Sequence, residues 1–114
     1  MRKYLGNYVD TYLPEFKREL AGLNPEYSRL VNAKIQDLKQ DPWHNTELMK
    51  GQWKGRRKVR LNDSDRLVFI ICEECVDDSF QRIFRCSDCN RTSENTLIFT
   101  NIIYGHDYKG TTRW

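Results

Sequence analysis

The chain has 114 residues, a formal net charge of +3 and 39% hydrophobic residues. This length and composition suit one folded domain, so we predict a single domain over residues 1–114 and exclude a largely disordered protein. The sequence contains no apolar run long enough for a signal peptide or a membrane-spanning helix, so we expect a cytoplasmic protein with no membrane partner.

The first part of the chain predicts one strand followed by two helices. Segment 4–12 is rich in aromatic and β-branched residues, which favours a first strand. After Pro14, apolar residues recur at three- and four-residue steps, as expected for a short helix with one apolar stripe. Asn24-Pro25 is a start signal for a second helix, which should end at Asp41-Pro42. The two helices should form a hairpin that covers one face of a sheet.

A basic segment, defined here as residues 50–60, follows a loop without periodicity, and six of its eleven residues are Lys or Arg. As a strand, it would place Lys58 and Arg60 on one face and Val59 and Leu61 on the other. One face would then pack on a core while the other carries positive charge. Such concentrated charge favours a phosphate-bearing partner, although a solvated edge strand is the alternative.

We predict that several residues of the basic segment contact this phosphate-bearing partner, taken as RNA in the resemblance described below. Trp53 is included because an aromatic side chain among cations can stack on a base, although it could equally be a core anchor. The predicted RNA-binding residues are Lys50, Trp53, Lys54, Arg57, Lys58 and Arg60.

The second half of the chain predicts three strands and an insertion. Arg56 to Leu61 should form a strand, residues 62–65 a turn, and Arg66 to Cys72 the hairpin partner. Segment 97–104 should form the last strand. Between these strands, Phe80, Ile83 and Phe84 could form a further short strand.

Four cysteines give the spacing C-x2-C-x10-C-x2-C, and they are Cys72, Cys75, Cys86 and Cys89. Two C-x-x-C pairs can bring four thiolates to one tetrahedral zinc ion. Two disulfides or a redox pair are the alternatives, but a reducing cytosol favours a metal. Four cysteine ligands leave no open coordination position, so we expect one structural zinc in a ribbon inserted at about residues 72–90.

The order and spacing of several short motifs resemble the RelE/ParE toxin superfamily. The motifs cover most of the chain outside the cysteine segment. They are Ile35-x-x-Leu38 through Asp41-Pro42, Glu47-Leu48-x-Lys50-Gly51, Lys54-Gly55, Arg57-Lys58-Val59-Arg60, Asp65-Arg66-Leu67-Val68-Phe69 and Ile103-Tyr104-Gly105-His106. The resemblance implies an α+β fold with the order β-α-α-β-β-β, in which the helical hairpin packs on an antiparallel sheet. The zinc ribbon would be inserted between the last two core strands.

The resemblance also implies a function. Members of this superfamily are toxins of type II toxin–antitoxin pairs, and most are endoribonucleases that cut mRNA in the ribosomal A site without a catalytic metal. The implied partners are a cognate antitoxin and mRNA on the ribosome. By resemblance, Arg66 contacts the phosphate together with Lys58 and Arg60. The acid–base candidates are Glu47, His106 and Tyr108. In YoeB-type relatives the histidine and the tyrosine are adjacent, whereas here Asp107 lies between His106 and Tyr108.

Two other functions remain open from the sequence. A ParE-like toxin would inhibit DNA gyrase by protein contact alone and would need no acid–base pair. A non-catalytic zinc-ribbon module would bind RNA or a ribosomal surface with the same basic face. The intact basic strand and Arg66 favour the endoribonuclease over the gyrase inhibitor.

Overall fold

The structure is a computed structural model that describes residues 4–77 and 94–105 of the chain. No helix in these two ranges is long and apolar enough to cross a bilayer. In chain order the elements are β1 (Val9–Tyr12), α1 (Pro14–Ala21), α2 (Pro25–Gln40), β2 (Thr46–Leu48), a 3-10 turn (Gly51–Trp53), β3 (Arg57–Arg60), β4 (Arg66–Ile71), α3 (Cys72–Asp77) and β5 (Thr96–Ile103).

The strands form one five-stranded sheet in the order β1-β5-β4-β3-β2. The pairs β2–β3, β3–β4 and β4–β5 are antiparallel, whereas β1 pairs with β5 in parallel. The sheet is therefore mixed, whereas the resemblance implied an antiparallel sheet. This difference arises because β1, from the start of the chain, pairs with the last strand in the same direction.

Both predicted helices are confirmed: α1 begins at Pro14, and α2 runs from Pro25 to Gln40, between the predicted start and stop signals. The Asn24 side chain accepts a hydrogen bond from the Tyr27 N–H at 2.9 Å and so caps α2. The predicted strand 4–12 is shortened to Val9–Tyr12. Gly6 has a φ of +82° within a turn and donates its N–H to the Gln40 carbonyl at 2.7 Å, so extended structure begins only after it.

The main core lies between the helical hairpin and one face of the sheet, called here the helix face. Phe16 of α1 and Val31, Ile35 and Leu38 of α2 are buried against it. The sheet supplies alternate residues to this core, as strand geometry requires. These residues are Val59, Leu67, Phe69, Ile71, Leu97 and Phe99. The opposite face, called here the open face, has its own small clusters, one of which contains Val68 and Ile103.

Three elements were not predicted from the sequence. Strand β2 and the 3-10 turn lie in the segment that showed no periodicity, and β2 forms by pairing with β3. The predicted hairpin strand 66–72 ends at Ile71 because Cys72 begins α3. The first cysteine pair therefore lies on a helix, whereas the sequence predicted that it would lie in a zinc ribbon. The strand suggested around Phe80, Ile83 and Phe84 lies outside the described residues.

Candidate nucleic-acid interface

The basic strand β3 has the alternation that the sequence predicted. Val59 is buried on the helix face, whereas Lys58 and Arg60 point to the open face. In the β3–β4 pair, Arg60 lies directly opposite Arg66. Like charges in directly opposed cross-strand positions are unfavourable unless something compensates them. The open face therefore carries two arginines in neighbouring positions, and a bound anion would lower the repulsion that their other contacts leave.

Both arginines are oriented by the β3–β4 turn. Arg60 Nη2 lies 2.6 Å from Asp63 Oδ1 in an exposed ion pair. Arg66 Nη1 donates to the backbone carbonyls of Asn62, at 3.2 Å, and Asp65, at 3.0 Å. Because carbonyls and not carboxylates hold the Arg66 guanidinium there, these contacts leave its positive charge unneutralised.

A cavity of about 390 Å³ lies next to Lys58 of β3, within the size range of small-ligand sites, about 300 to 1,000 Å³. Four of its lining residues were predicted to belong to the site, and two, Leu48 and Met49, were not. The lining residues are Glu47, Leu48, Met49, Lys50, Trp53 and Lys58. Met49 and Leu48 were missed because the non-periodic loop gave no indication of which side chains would turn inward.

Glu47 and Lys58 form the rim of this cavity. They are directly paired across β2 and β3, and Lys58 Nζ lies 3.3 Å from Glu47 Oε1. The Glu47 side chain is 74% exposed, so solvent or a ligand can reach its carboxylate. A proton acceptor and a cation therefore lie side by side at the edge of the cavity, the two kinds of group that acid–base and charge-stabilising catalysis use.

Trp53 is only 7% exposed and packs with Met49, Val68 and Ile103 under the open face. Its burial favours the core-anchor interpretation over base stacking, although the residue does line the cavity. Lys50 and Lys54, which flank the 3-10 turn, are exposed.

Arg57 has a structural role in place of the predicted RNA contact. It alternates with Lys58 and therefore lies on the helix-face side of β3. Its guanidinium donates twice to the buried Glu74 of α3, at 3.0 and 2.8 Å, and its Cζ lies 4.9 Å from the centre of the Trp43 ring. A guanidinium held in this way is not available to a phosphate.

A second buried polar contact lies at the start of α3. Tyr8 donates its hydroxyl to the buried Glu73 at 2.7 Å and accepts from the Trp43 indole N–H at 3.1 Å. Burial and the hydrogen bond to Glu73 raise the pKa of Tyr8 to about 12. Together with the Arg57–Glu74 pair, this contact fixes α3 to β3 and to Tyr8, the residue before β1.

Cys72 and Cys75 occupy the first and fourth positions of α3, so their side chains lie on one face of a single helical turn. Both are buried and pack against Ile70 and Ile98. Thiolates are among the ligands that zinc prefers, and two of them on one helical turn can bind the same ion. Within residues 4–77 and 94–105 no three His, Cys, Asp or Glu side chains form a metal-binding group. Cys86 and Cys89 lie outside the described residues.

The C-terminal candidates follow directly from β5. The last described residue, Gly105, donates its N–H to Asp65 Oδ1 at 2.9 Å, which places it next to the residue that precedes Arg66. His106 and Tyr108 lie outside the described residues, and their predicted roles stay predictions.

No protein-family model matches the chain, and no curated protein matches it significantly. Among solved structures, the chain is similar to a YoeB/ParE toxin from Agrobacterium tumefaciens, with 13% identity and a TM-score of 0.58 over 83% of this chain and 95% of that one. It is also similar to the YoeB-YefM complex from Staphylococcus aureus, with 13% identity and a TM-score of 0.57 over 85% and 95%. It is similar as well to the RelBE2 toxin–antitoxin complex from Mycobacterium tuberculosis, with 18% identity and a TM-score of 0.54 over 85% of this chain and 96% of that one.

At identities of 13% to 18% the likeness establishes the fold. The chain has the α+β fold of the RelE/YoeB toxins, as the sequence motifs predicted. The comparison structures are covered almost completely, so the chain contains the whole of that fold.

Proposed function

We propose that this chain is the toxin of a type II toxin–antitoxin pair and that it cleaves mRNA on the ribosome. The observation that carries the proposal is the grouping of Lys58, Arg60 and Arg66 on the open face, with the Glu47 carboxylate 3.3 Å from Lys58. The fold adds support, because its neighbours include toxins solved with their antitoxins. An mRNA substrate on the ribosome agrees with the expected cytoplasmic location.

The proposed reaction is attack by a ribose 2′-oxygen on the adjacent phosphorus. A bond from phosphorus to O2′ forms and the bond to O5′ breaks, which leaves a 2′,3′-cyclic phosphate and a 5′-hydroxyl. Lys58, Arg60 and Arg66 stabilise the negative charge that develops on the phosphorane oxygens. None of these steps is assigned to a metal ion.

Two proton transfers complete the reaction. A base removes the proton of the 2′-hydroxyl, and an acid protonates the departing 5′-oxygen. Glu47 and His106 are the proposed bases, and His106 and Tyr108 are the proposed acids. An imidazole with an ordinary pKa near 6.5 can serve in either role at neutral pH.

Toeprinting of translating ribosomes with the purified protein tests the proposal. We expect a cut inside the A-site codon with the wild type, and loss of the cut with His106→Ala while ribosome binding is nearly intact. Arg29→Ala, an exposed arginine of α2, is the control and should cut normally. Ribosome binding without any wild-type cleavage would instead support a binding module, and gyrase inhibition without cleavage would support a ParE-like toxin.

An antitoxin is the second proposed partner. The open face carries cations that an acidic or amphipathic segment could pair with while it folds on the surface. Expression of the chain alone should arrest growth, and co-expression of its antitoxin should relieve the arrest. Normal growth on expression of the intact chain without a partner contradicts the proposal.

We also propose that Cys72, Cys75, Cys86 and Cys89 hold one structural zinc ion. The support is the four-cysteine spacing together with the position of the first pair on one turn of α3. Zinc there would stabilise the segment between β4 and β5 and would supply no catalytic chemistry.

A further inference from the structure

The turn between β3 and β4 contains a carboxylate with an unusual set of contacts. Asp65 is 8% exposed and immediately precedes Arg66. Its Oδ2 accepts from the Tyr27 hydroxyl at 2.5 Å and from Asn62 Nδ2 at 3.2 Å. Its Oδ1 accepts from the Gly105 N–H at 2.9 Å and from Ser64 Oγ at 3.2 Å. One side chain therefore joins α2, the turn and the end of β5.

All four donors to this carboxylate are neutral. Burial alone would raise the pKa of Asp65, but the hydrogen bonds, foremost the one from Tyr27, hold that pKa below its ordinary value. A buried carboxylate that is stabilised by several oriented donors has one favourable position, because moving it leaves a charge without hydrogen bonds. The Asp65 carboxylate therefore occupies one well-defined position, called here the fixed point.

Two parts of the proposed active site depend on this fixed point. Arg66 Nη1 donates to the backbone carbonyl of Asp65, so the direction of the guanidinium follows the position of that residue. Gly105 has a φ of +61° and is bound to the same carboxylate, so the chain leaves the sheet towards His106 from a defined place. A cation and the start of the tail are thereby held relative to each other.

The helical hairpin contributes to the same arrangement. Glu19 of α1 accepts the Ile102 N–H at 3.2 Å, and the rings of Tyr27 and Tyr104 lie 6.2 Å apart. Both helices therefore hold the end of β5 from the helix face, opposite to the face that carries the cations.

We infer that Asp65, supported by the Tyr27 hydroxyl, is a positioning residue that holds Arg66 in place relative to Gly105, at the end of β5, for the proposed cleavage. The inference rests on the proposed function for its catalytic consequence. Asp65 itself would contact no reacting atom. A loss of alignment should lower the rate of the chemical step more than it lowers substrate binding, because misplacement of a catalytic group by about 1 Å can cost a hundredfold in rate.

Tyr27→Phe and Asp65→Asn test the inference, with Tyr12→Phe as the matched control. Tyr12 also donates its hydroxyl to a carboxylate, that of Asp10, but in β1 at the edge of the sheet, far along the strand order from β3. The control therefore loses the same kind of hydrogen bond. We expect both test variants to lower kcat for cleavage on the ribosome by about tenfold to a hundredfold with little change in KM. Tyr12→Phe should retain the wild-type kcat even if its Tm falls equally.

Amide hydrogen exchange supplies a readout that does not require activity. Asp65→Asn should accelerate exchange of the Gly105 N–H, and Tyr12→Phe should leave it unchanged. Unchanged exchange at Gly105, or equal loss of kcat in all three variants, overturns the inference. A wild-type protein that cleaves no RNA contradicts the proposed function instead, and the exchange measurement then still decides whether Asp65 holds Gly105.

Discussion

At the level of single residues, two ion pairs of the basic segment have opposite roles. The Arg57–Glu74 pair is buried, with 14% and 5% of the side chains exposed, whereas Glu47 of the Lys58–Glu47 pair is 74% exposed. Buried pairs are costly to break because one charge is left without a partner, and exposed pairs contribute little to stability. Stability measurements can therefore separate Arg57, which holds the framework together, from Lys58, the proposed phosphate contact.

Glu74→Ala should lower the free energy of unfolding by about 3 to 5 kcal/mol, because it leaves the Arg57 guanidinium buried without its carboxylate. Glu47→Ala, the comparison variant, should change it by about 1 kcal/mol or less. Denaturant unfolding of both variants measures the difference. Equal losses would contradict the assignment of Arg57 to the framework and Glu47 to the open rim.

Asp65 also makes stability depend on pH. Its pKa is lowered on folding, so the ionised carboxylate stabilises the fold above the ordinary aspartate pKa of about 3.9, and that contribution is lost as pH falls through the folded value. Unfolding free energies measured from pH 6 downward should fall less steeply for Asp65→Asn than for the wild type. Identical slopes for the two proteins would contradict the role of this carboxylate.

Single residues also show the limit of sequence analysis here. The alternation of Lys58, Val59 and Arg60 could be predicted, because strand geometry alone decides it. The structural role of Arg57 could not be predicted, because its partner Glu74 is 17 positions away along the chain. Asp65 was noted only as part of a turn, since the sequence gives no sign that Tyr27 and Gly105 would converge on it.

At the level of elements, the helices were predicted well and the short strands were not. Proline, the Asn24 cap and apolar spacing are local signals, and α1 and α2 begin and end where those signals are. Strand β2 has three residues and depends on its pairing with β3, a contact that has no local signature. Helix α3 buries two adjacent glutamates, which is tolerated because Tyr8 and Arg57 provide distant partners.

Cys72→Ser tests the proposed metal at this scale. We expect the purified wild type to contain about one zinc per chain and the variant to contain none, because a tetrahedral site requires all four thiolates. Cys86→Ser should lose the metal equally, since it removes a ligand of the same ion. Elemental analysis under reducing conditions measures both, and a wild-type protein free of zinc would contradict the proposal.

At the level of the whole molecule, Lys58, Arg60 and Arg66 share one side of the sheet, so the positive charge there is denser than the net charge of +3 alone would suggest. Phosphate contacts release counterions, so affinity for single-stranded RNA should fall linearly with the logarithm of salt concentration. Lys58→Gln should reduce that slope by about 0.7, the value of one phosphate contact on a single strand. Arg29→Gln on α2 should leave it unchanged, and equal effects of the two variants would argue for a diffuse charge effect.

In the proposed reaction, the open face of the sheet binds the RNA backbone at the bond to be cut. The most direct measurement is an electron cryomicroscopy structure of the protein on a ribosome whose A-site codon carries 2′-O-methyl groups, so that attack is blocked. We predict a phosphate of that codon within about 3 Å of Arg66 nitrogen atoms, the ordinary distance of a charge-assisted hydrogen bond. RNA bound to the helical hairpin, with Lys58, Arg60 and Arg66 facing solvent, would contradict the account.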